Sequence, residues 1–500
     1  MAEDIFGDPI ARALRKSRKR QLADQEQRSV PERIQDCLSM PLLYEMAERL
    51  PAPESVGCPR KYPTVVYLMI AALMPVTKSK RSAVGALTDE VQWKSVRKHI
   101  RANLSRAMAA RLPDQAPTRD QYQYAEAKLL APAFEELEEE FRRSSFQQAL
   151  EQGLFPEDAP RNWARPERRQ LIVGDGTVPK APSKAERTVT VDLNTGEIKL
   201  HRVDSAARVY YENGEEEKVA VRGTKWFFAS ARDDGYWRRV ILSFAHVAGG
   251  AYEDEAAIAV RHFSRLKRDL PGCMGVVYDG AFRGVHRDAL ARLGLLVINK
   301  QHKSIRPRHL ELLRPGRCRH DLWCDQGRVA ERVIIDDGTS VLIPVPVTRL
   351  QHGAGASKSR WYHTLRVPCR YGPHEHRVQV GITSHSLDRK VVDPATGKPR
   401  KSDAELGFHR AEYLQQIPQL TLAHQTVYPY RSDSESVNSQ FDLSLWNRRM
   451  ISYGIERQKV FALAFAMSQN ATSRRIHQED GGRLWTPGQG HSARLTRDAA

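Results

Sequence analysis

The chain has 500 residues, 28% charged and 41% hydrophobic. That is a globular composition with room for roughly two to four domains, and it excludes collagen-like, mucin-like and wholly disordered chains. Its 78 Lys and Arg against 60 Asp and Glu leave a net charge of +18 and a pI near 9.7, so a polyanion is the natural partner. Six scattered cysteines are too few for a secreted disulfide scaffold and point to a reducing compartment. The longest apolar run, residues 65–76, is shorter than the roughly 20 residues of a bilayer-spanning helix, and the acidic start lacks a signal peptide's basic flank. The expectation is a soluble, cytoplasmic protein with no membrane contact.

The first 30 residues carry a basic cluster, Arg12, Arg15, Lys16, Arg18, Lys19 and Arg20, which reads as a DNA-touching arm or as a solvated, flexible terminus. Residues 65–73 suit a buried helix. Two further helical stretches, residues 79–87 and 91–104, bear Lys80, Arg81, Lys94, Arg97, Lys98 and Arg101. Such a trio fits a helix-turn-helix-like DNA-binding domain within residues 31–155, and equally a small bundle that binds no DNA. Phe134, Leu137 and Phe141 recur at helical spacing among Glu135, Glu136, Glu138, Glu139 and Glu140, predicting an amphipathic helix with a solvated acidic face.

Residues 156–168 read as a Pro-rich, charged linker, after which the hydrophobic period changes from helical to alternating. Residues 170–175 predict a strand ending in an acid. A charged hairpin follows around Asn194-Thr195-Gly196, and residues 225–231 and 237–246 pair around Asp234-Gly235. A helix at 253–270, a strand at 275–279 again ending in an acid, a helix at 287–293 and a strand at 295–299 complete the series. This order predicts an α/β fold of the ribonuclease-H-like kind, a mixed sheet with flanking helices, over residues 165–300. Residues 301–426 read as a β-rich insertion. Helices at 433–449 and 458–476 lie in a segment, 427–477, that completes the core, and residues 478–500 are expected to be disordered.

Two carboxylates from neighbouring strand ends, with a third from a helix, are a common way to hold two hard divalent cations for phosphoryl transfer. Asp175 in Val173-Gly174-Asp175-Gly176 and Asp279 in Val276-Val277-Tyr278-Asp279-Gly280 are the first two candidates; each could also be a turn acid beside glycine. Glu435 is the third, in a Tyr428-x2-Arg431-x3-Glu435 pattern, with Asn438 and Asp442 on the same helix face. Ser432 three residues earlier would also make Glu435 part of a capping box, a role that needs neither Tyr428 nor Arg431.

With these residues the chain resembles the DDE transposases of bacterial insertion sequences, in particular the group with a Tyr-Arg-Glu signature. The resemblance covers roughly residues 165–475, with 104 residues from Asp175 to Asp279 and 156 from there to Glu435. It implies a catalytic, metal-binding triad of Asp175, Asp279 and Glu435 holding two Mg²⁺ or Mn²⁺ ions. It further implies that Tyr428 and Arg431 contact phosphates of the element's ends. Double-stranded DNA, both ends and target, would be the partner, met by a homodimer in the nucleoid, and the reaction would be hydrolysis followed by strand transfer. One departure stands out: the lysine common seven residues after the glutamate is here Asp442, and Arg448 and Arg449 could take its place at the DNA. The alternatives are a ribonuclease-H-like nuclease that does not join strands, and an inactive domesticated transposase that keeps DNA binding. No glycine-rich nucleotide loop is present in the sequence, so no ATP dependence is expected.

Cys318, Cys324, Cys369 and His374, with His320 and His376 close by, offer soft ligands for a structural zinc; the histidines could instead face water. Trp323 and Trp361 in the same segment could stack on an unpaired base or lie in the core.

Overall fold

A computed structural model of the chain describes residues 4–7, 29–50, 61–104, 109–110, 112–192, 194–213, 218–249, 254–354, 359–381 and 409–481. The cluster from Arg12 to Arg20 and the tail from residue 482 lie outside the described residues. The first helices are α1 (Val30–Leu38), α2 (Leu42–Arg49), α3 (Thr64–Thr77), α4 (Lys80–Thr88), α5 (Glu90–Asn103), α6 (Arg119–Ala125) and α7 (Phe134–Glu151). Strand β1 (Leu171–Thr177) precedes the hairpins β2 (Val189–Val191) with β3 (Ile198–Leu200), β4 (Arg208–Asn213) with β5 (Lys218–Gly223), and β6 (Lys225–Ala231) with β7 (Val240–Val247). Next come α8 (Glu255–Asp269), β8 (Gly275–Val277), α9 (Gly284–Arg292) and β9 (Leu296–Ile298). Then follow β10 (Arg308–Leu313), β11 (His320–Asp325), β12 (Arg328–Ile334), β13 (Ser340–Pro344), β14 (Val347–Ala354), β15 (Ser359–Val367) and β16 (His374–Val380). After these come α10 (Arg410–Tyr413), α11 (Leu422–Val427), α12 (Ser432–Leu443) and α13 (Ile455–Glu479). The protein is thus mixed α/β with parallel and antiparallel strand pairing.

The chain divides into two compact units, Met1–Gln21 with Phe155–Asp175 and Asp254–Asp433, and Leu22–Leu154 with Gly176–Glu253 and Ser434–Ala500. In the first unit β1, β8 and β9 run parallel, with Val173 opposite Val277 and Val277 opposite Ile298. Their side chains from Leu171 to Val173, Val276 to Val277 and Leu296 to Ile298 are all buried, the continuous apolar pattern of strands covered on both faces. Gly275 is required there, because a Cβ would stand 2.7 Å from Leu296 Cβ and from its carbonyl oxygen. Helix α8, capped by the Asp254 carboxylate on the Ala257 amide at 2.7 Å, buries Ile258, Ala259, Phe263 and Leu266.

Strands β10 to β13 form one antiparallel sheet and β14 to β16 another. They share a core with the parallel strands, built from Leu322, Cys324, Val329, Trp361, Leu365, Val378 and Val380 among others. The start of the expected arm is seated here: Ile5 donates its amide to Val347 O at 2.9 Å and Phe6 is buried against His363.

The second unit is organised around α3 and α13. Helix α3 is apolar on all sides and buried from Val65 to Val76, as a central helix must be. Its core includes Met69, Leu73, Phe461 and Phe465, and it extends over Trp226, Phe228, Ile241 and Phe244 of the β6–β7 hairpin. The buried Asn470 of α13 accepts from the Ile241 amide at 2.8 Å and donates to the Ile241 carbonyl at 2.9 Å and Ser145 Oγ at 3.1 Å, tying α13 to β7 and α7. The acidic face of α7 departs from the sequence expectation, since Glu140 is buried and paired with Arg49 at 2.8 Å. Of the basic residues on α4 and α5, Lys80 pairs with the fully buried Glu126, Lys94 with Glu90 and Arg97 with Asp114, while Arg81, Lys98 and Arg101 are exposed.

Candidate functional site

Two of the three sequence-identified acids lie in the first unit at the ends of paired parallel strands. Asp175 and Asp279 each stand two residues beyond the matched pair Val173 and Val277, Asp175 still within β1 and Asp279 in the loop that leaves β8. Asp175 is buried and Asp279 half-buried. Directly after β8 the buried Tyr278 donates its hydroxyl to Glu255 Oε1 at 2.6 Å. Burial, reinforced by the charges of Glu255, Asp279 and Asp175, holds that phenol well above its usual pKa, so it stays a proton donor.

The loop after β8 is fixed from three sides. Asp279 Oδ1 accepts from the Ala281 amide at 2.9 Å, and the buried Asn299, just past β9, donates Nδ2 to the Phe282 carbonyl at 3.0 Å and the Asp279 carbonyl at 3.4 Å. The Asn299 carbonyl in turn accepts from Gln415 Nε2 at 2.8 Å and His424 Nε2 at 3.1 Å. These positioning residues were not legible in the sequence, because their partners lie more than a hundred residues away.

The Tyr-x2-Arg part of the motif forms a 3₁₀ turn, Tyr428–Arg431, packed against β8. Tyr428 stacks on His424 with ring centroids 5.0 Å apart, and the Lys300 ammonium lies 5.3 Å from its ring. Arg431, expected at a DNA phosphate, donates Nη2 to Asp175 Oδ2 at 3.2 Å. The neighbouring Arg168 lies 4.3 Å over the Tyr430 ring and pairs with the buried Asp433 at 3.4 Å. A guanidinium therefore neutralises the more buried acid.

Glu435 belongs to the second unit and is exposed on α12. Its neighbour Ser436 is held by Tyr236 Oη at 2.6 Å and Arg239 Nη1 at 3.3 Å. Asn438, one turn further, donates Nδ2 to the Gly176 carbonyl at 3.1 Å. The Ser432 hydroxyl donates to the Pro429 carbonyl at 2.8 Å.

Arg448 and Arg449 line a cleft of about 360 Å³ in the second unit, together with Lys180, Lys184 and Arg222; Glu186 and Asp442 are its acids. The backbone builds it. Lys180 bridges between Arg448–Met450 and the end of β5, through Lys180 N to Arg448 O and Met450 N to Lys180 O, both 2.9 Å. Gly223 is needed at that crossing, where a Cβ would stand 1.9 Å from Pro179 O. Asn447 and Arg448 both adopt left-handed φ, at 52° and 55°, a conformation that is costly for a residue with a long side chain such as Arg448. Asp442 faces Arg448 at 3.8 Å.

The soft ligands also converge, but in a different set from the one expected. Cys318, His320, Cys369 and His374 place one donor atom each within 4.8 Å of one another. Cys324 is not among them and is buried in the core of its sheet. The Cys369 thiol is pulled down to about 6, first by the Tyr371 amide on its sulfur and then by Cys318, His374 and His320, while the Cys318 thiol is pushed up by its neighbour. Trp361 is fully buried with its indole N–H on Ala291 O at 2.9 Å, so it is a core residue. Trp323 is half-buried beneath the Arg332 guanidinium, 4.9 Å from its ring centroid.

No protein-family model and no curated protein matches the sequence. Among solved structures the chain is similar to the piggyBac transposase in a synaptic complex with hairpin DNA, with a TM-score of 0.33 and 11% identity over 91% of this chain and 75% of that one. No described helix is long and apolar enough to cross a membrane.

Proposed function

We propose that the protein is a DNA transposase with a ribonuclease-H-like core, in which Asp175, Asp279 and Glu435 hold two Mg²⁺ or Mn²⁺ ions at the scissile phosphodiester. The observation that carries this reading is the equal placement of Asp175 and Asp279 beyond one matched residue pair of two parallel strands. Such a pair of oxygen donors suits hard divalent cations. When bound, the ions would activate the attacking water or sugar hydroxyl and stabilise the leaving oxygen. Asn299 and the Ala281 amide keep the Asp279 loop in place, and the neighbouring Tyr278 remains neutral. Arg431 balances the Asp175 charge until a cation takes that role, and its guanidinium can then serve a phosphate through two parallel hydrogen bonds. Within the second unit, the helix that carries Glu435 is held by Asn438 on the Gly176 carbonyl.

The basic cleft at Arg448 and Arg449 would guide the backbone of the element ends or the target, and a homodimer would pair two ends. A second reading, a DNA-binding protein without cleavage activity, draws on Asp442, whose carboxylate faces Arg448 where the resembled family carries a lysine.

The test is a strand-cleavage assay on the DNA flanking the reading frame, run with Mg²⁺, Ca²⁺ or EDTA. Cleavage with Mg²⁺ alone is expected. Asp175→Asn, Asp279→Asn and Glu435→Gln should each lower it at least about 1000-fold while sparing DNA binding. Normal cutting by the Glu435→Gln variant would remove that residue from the site, and binding without any wild-type cutting would establish the second reading.

A further inference from the structure

We infer that Cys318, His320, Cys369 and His374 form a closed, four-coordinate structural zinc site that clamps two β-hairpins of the first unit together. Each hairpin contributes in the same way. Cys318 comes from the loop between β10 and β11, and His320 is the first residue of β11; Cys369 comes from the loop between β15 and β16, and His374 is the first residue of β16. The donors belong to two different antiparallel sheets, so a bound ion would cross-link them at their turn ends. Beside the cluster a second link joins the same sheets, His376 Nε2 to Glu311 Oε1 at 2.8 Å.

Chemistry and geometry agree on zinc. Zinc bonds of about 2.3 Å to sulfur and about 2.0 Å to nitrogen put neighbouring tetrahedral donors roughly 3.3–3.8 Å apart. All four donors lie within 4.8 Å of one another, with the sulfurs of the two free cysteines 3.2 Å apart. Two thiolates and two neutral imidazoles balance a divalent charge. An independent observation fixes one ligand's tautomer: His320 Nδ1 is bonded to Glu331 Oε1 at 2.7 Å, which leaves Nε2 for the ion. This carboxylate behind a histidine is the usual outer support of a zinc ligand. The Nε2 atoms of His320 and His374 are both buried and find no partner in hydrogen-bonding geometry, the condition that a metal would relieve. Four protein donors leave no open position, so the ion would hold structure and take no part in phosphoryl chemistry.

The experiment uses the full chain purified without chelator and measures metal by plasma mass spectrometry, followed by exchange with Co²⁺. About one zinc per chain is expected, together with a thiolate charge-transfer band and the intense visible bands of tetrahedral cobalt. The Cys318→Ser/Cys369→Ser double variant and His374→Ala should lose the ion, His374→Cys should keep it, and Glu331→Gln should bind about 10- to 100-fold more weakly. Cys324→Ser should retain the full stoichiometry. The inference is overturned if the folded wild-type chain holds less than about 0.1 zinc even after incubation with the ion. A cobalt spectrum without a thiolate band, a Cys318–Cys369 disulfide in its place, or metal loss in Cys324→Ser alone would each overturn it as well.

Discussion

At the scale of single residues, the pairing of Arg431 with Asp175 is the contact that most constrains how the site can work. The guanidinium occupies one carboxylate oxygen that a divalent ion would need, and both side chains are largely withdrawn from solvent. A partly buried pair of this kind contributes about 1 kcal/mol, equivalent to roughly a five-fold change in an equilibrium. Arg431→Ala should therefore lower the Mg²⁺ concentration for half-maximal cleavage by about two- to five-fold, because the competing cation is gone. The same variant should cleave more slowly at saturating Mg²⁺, since the phosphate loses its fork-shaped donor. Arg431→Lys should keep the metal dependence near wild type, yet it should not restore the rate, because an ammonium is a point charge. A metal titration of cleavage rate checks both statements, and an unchanged half-maximal concentration in Arg431→Ala would show that Asp175 is not a metal ligand.

At the scale of elements, α13 holds the second unit together partly through one polar side chain. Asn470 satisfies both backbone groups of Ile241 near the start of β7, and Asn470→Leu would leave that N–H and C=O buried without partners. Each orphaned group costs about 1–3 kcal/mol, so urea unfolding should show a loss of about 2–5 kcal/mol, with Asn470→Asp losing less because it can still accept from the Ile241 amide. A loss below about 1 kcal/mol would mean that water replaces the amide. This staple illustrates what local sequence reasoning can and cannot reach. The β6–β7 hairpin is legible from Asp234-Gly235 between apolar runs, and β1, β8 and β9 from short buried runs, because these signals are local. Hairpin β4–β5 is not legible: Val209 and Tyr211 are exposed, so the strand lacks the one-sided burial that makes alternation readable. Asp175 and Asp279 are legible because strand ends are. The choice of His320 over Cys324 is not, for both lie on the buried face of β11, and only the fold tells that Cys324 sits about 13 Å further along, away from the loop where the other donors meet.

At the scale of the whole molecule, the excess of 18 positive charges sets how binding should respond to salt. Each phosphate neutralised by Lys or Arg releases counterions and adds about 0.9 to the slope of log affinity against log salt. The cleft around Lys180, Lys184, Arg222, Arg448 and Arg449 concentrates five of these cations against two acids in about 360 Å³. Arg222 and Arg449 partly serve the fold, through the Asp204 and Ala181 carbonyls at 3.0 and 2.9 Å. Lys184 and Arg448 are therefore the cleaner probes. If the cleft grips the DNA backbone, Lys184→Ala with Arg448→Ala should reduce the slope by about 1.8 and weaken binding to all duplex sequences alike. The same double change on the α4–α5 face, Arg81→Ala with Lys98→Ala, separates the two surfaces: a reduced slope there and an unchanged one at the cleft would move the interface to the helical bundle. Asp442→Lys adds a cation opposite Arg448, so it should steepen the slope by up to about 0.9 if phosphates enter the cleft, and leave it unchanged if they do not.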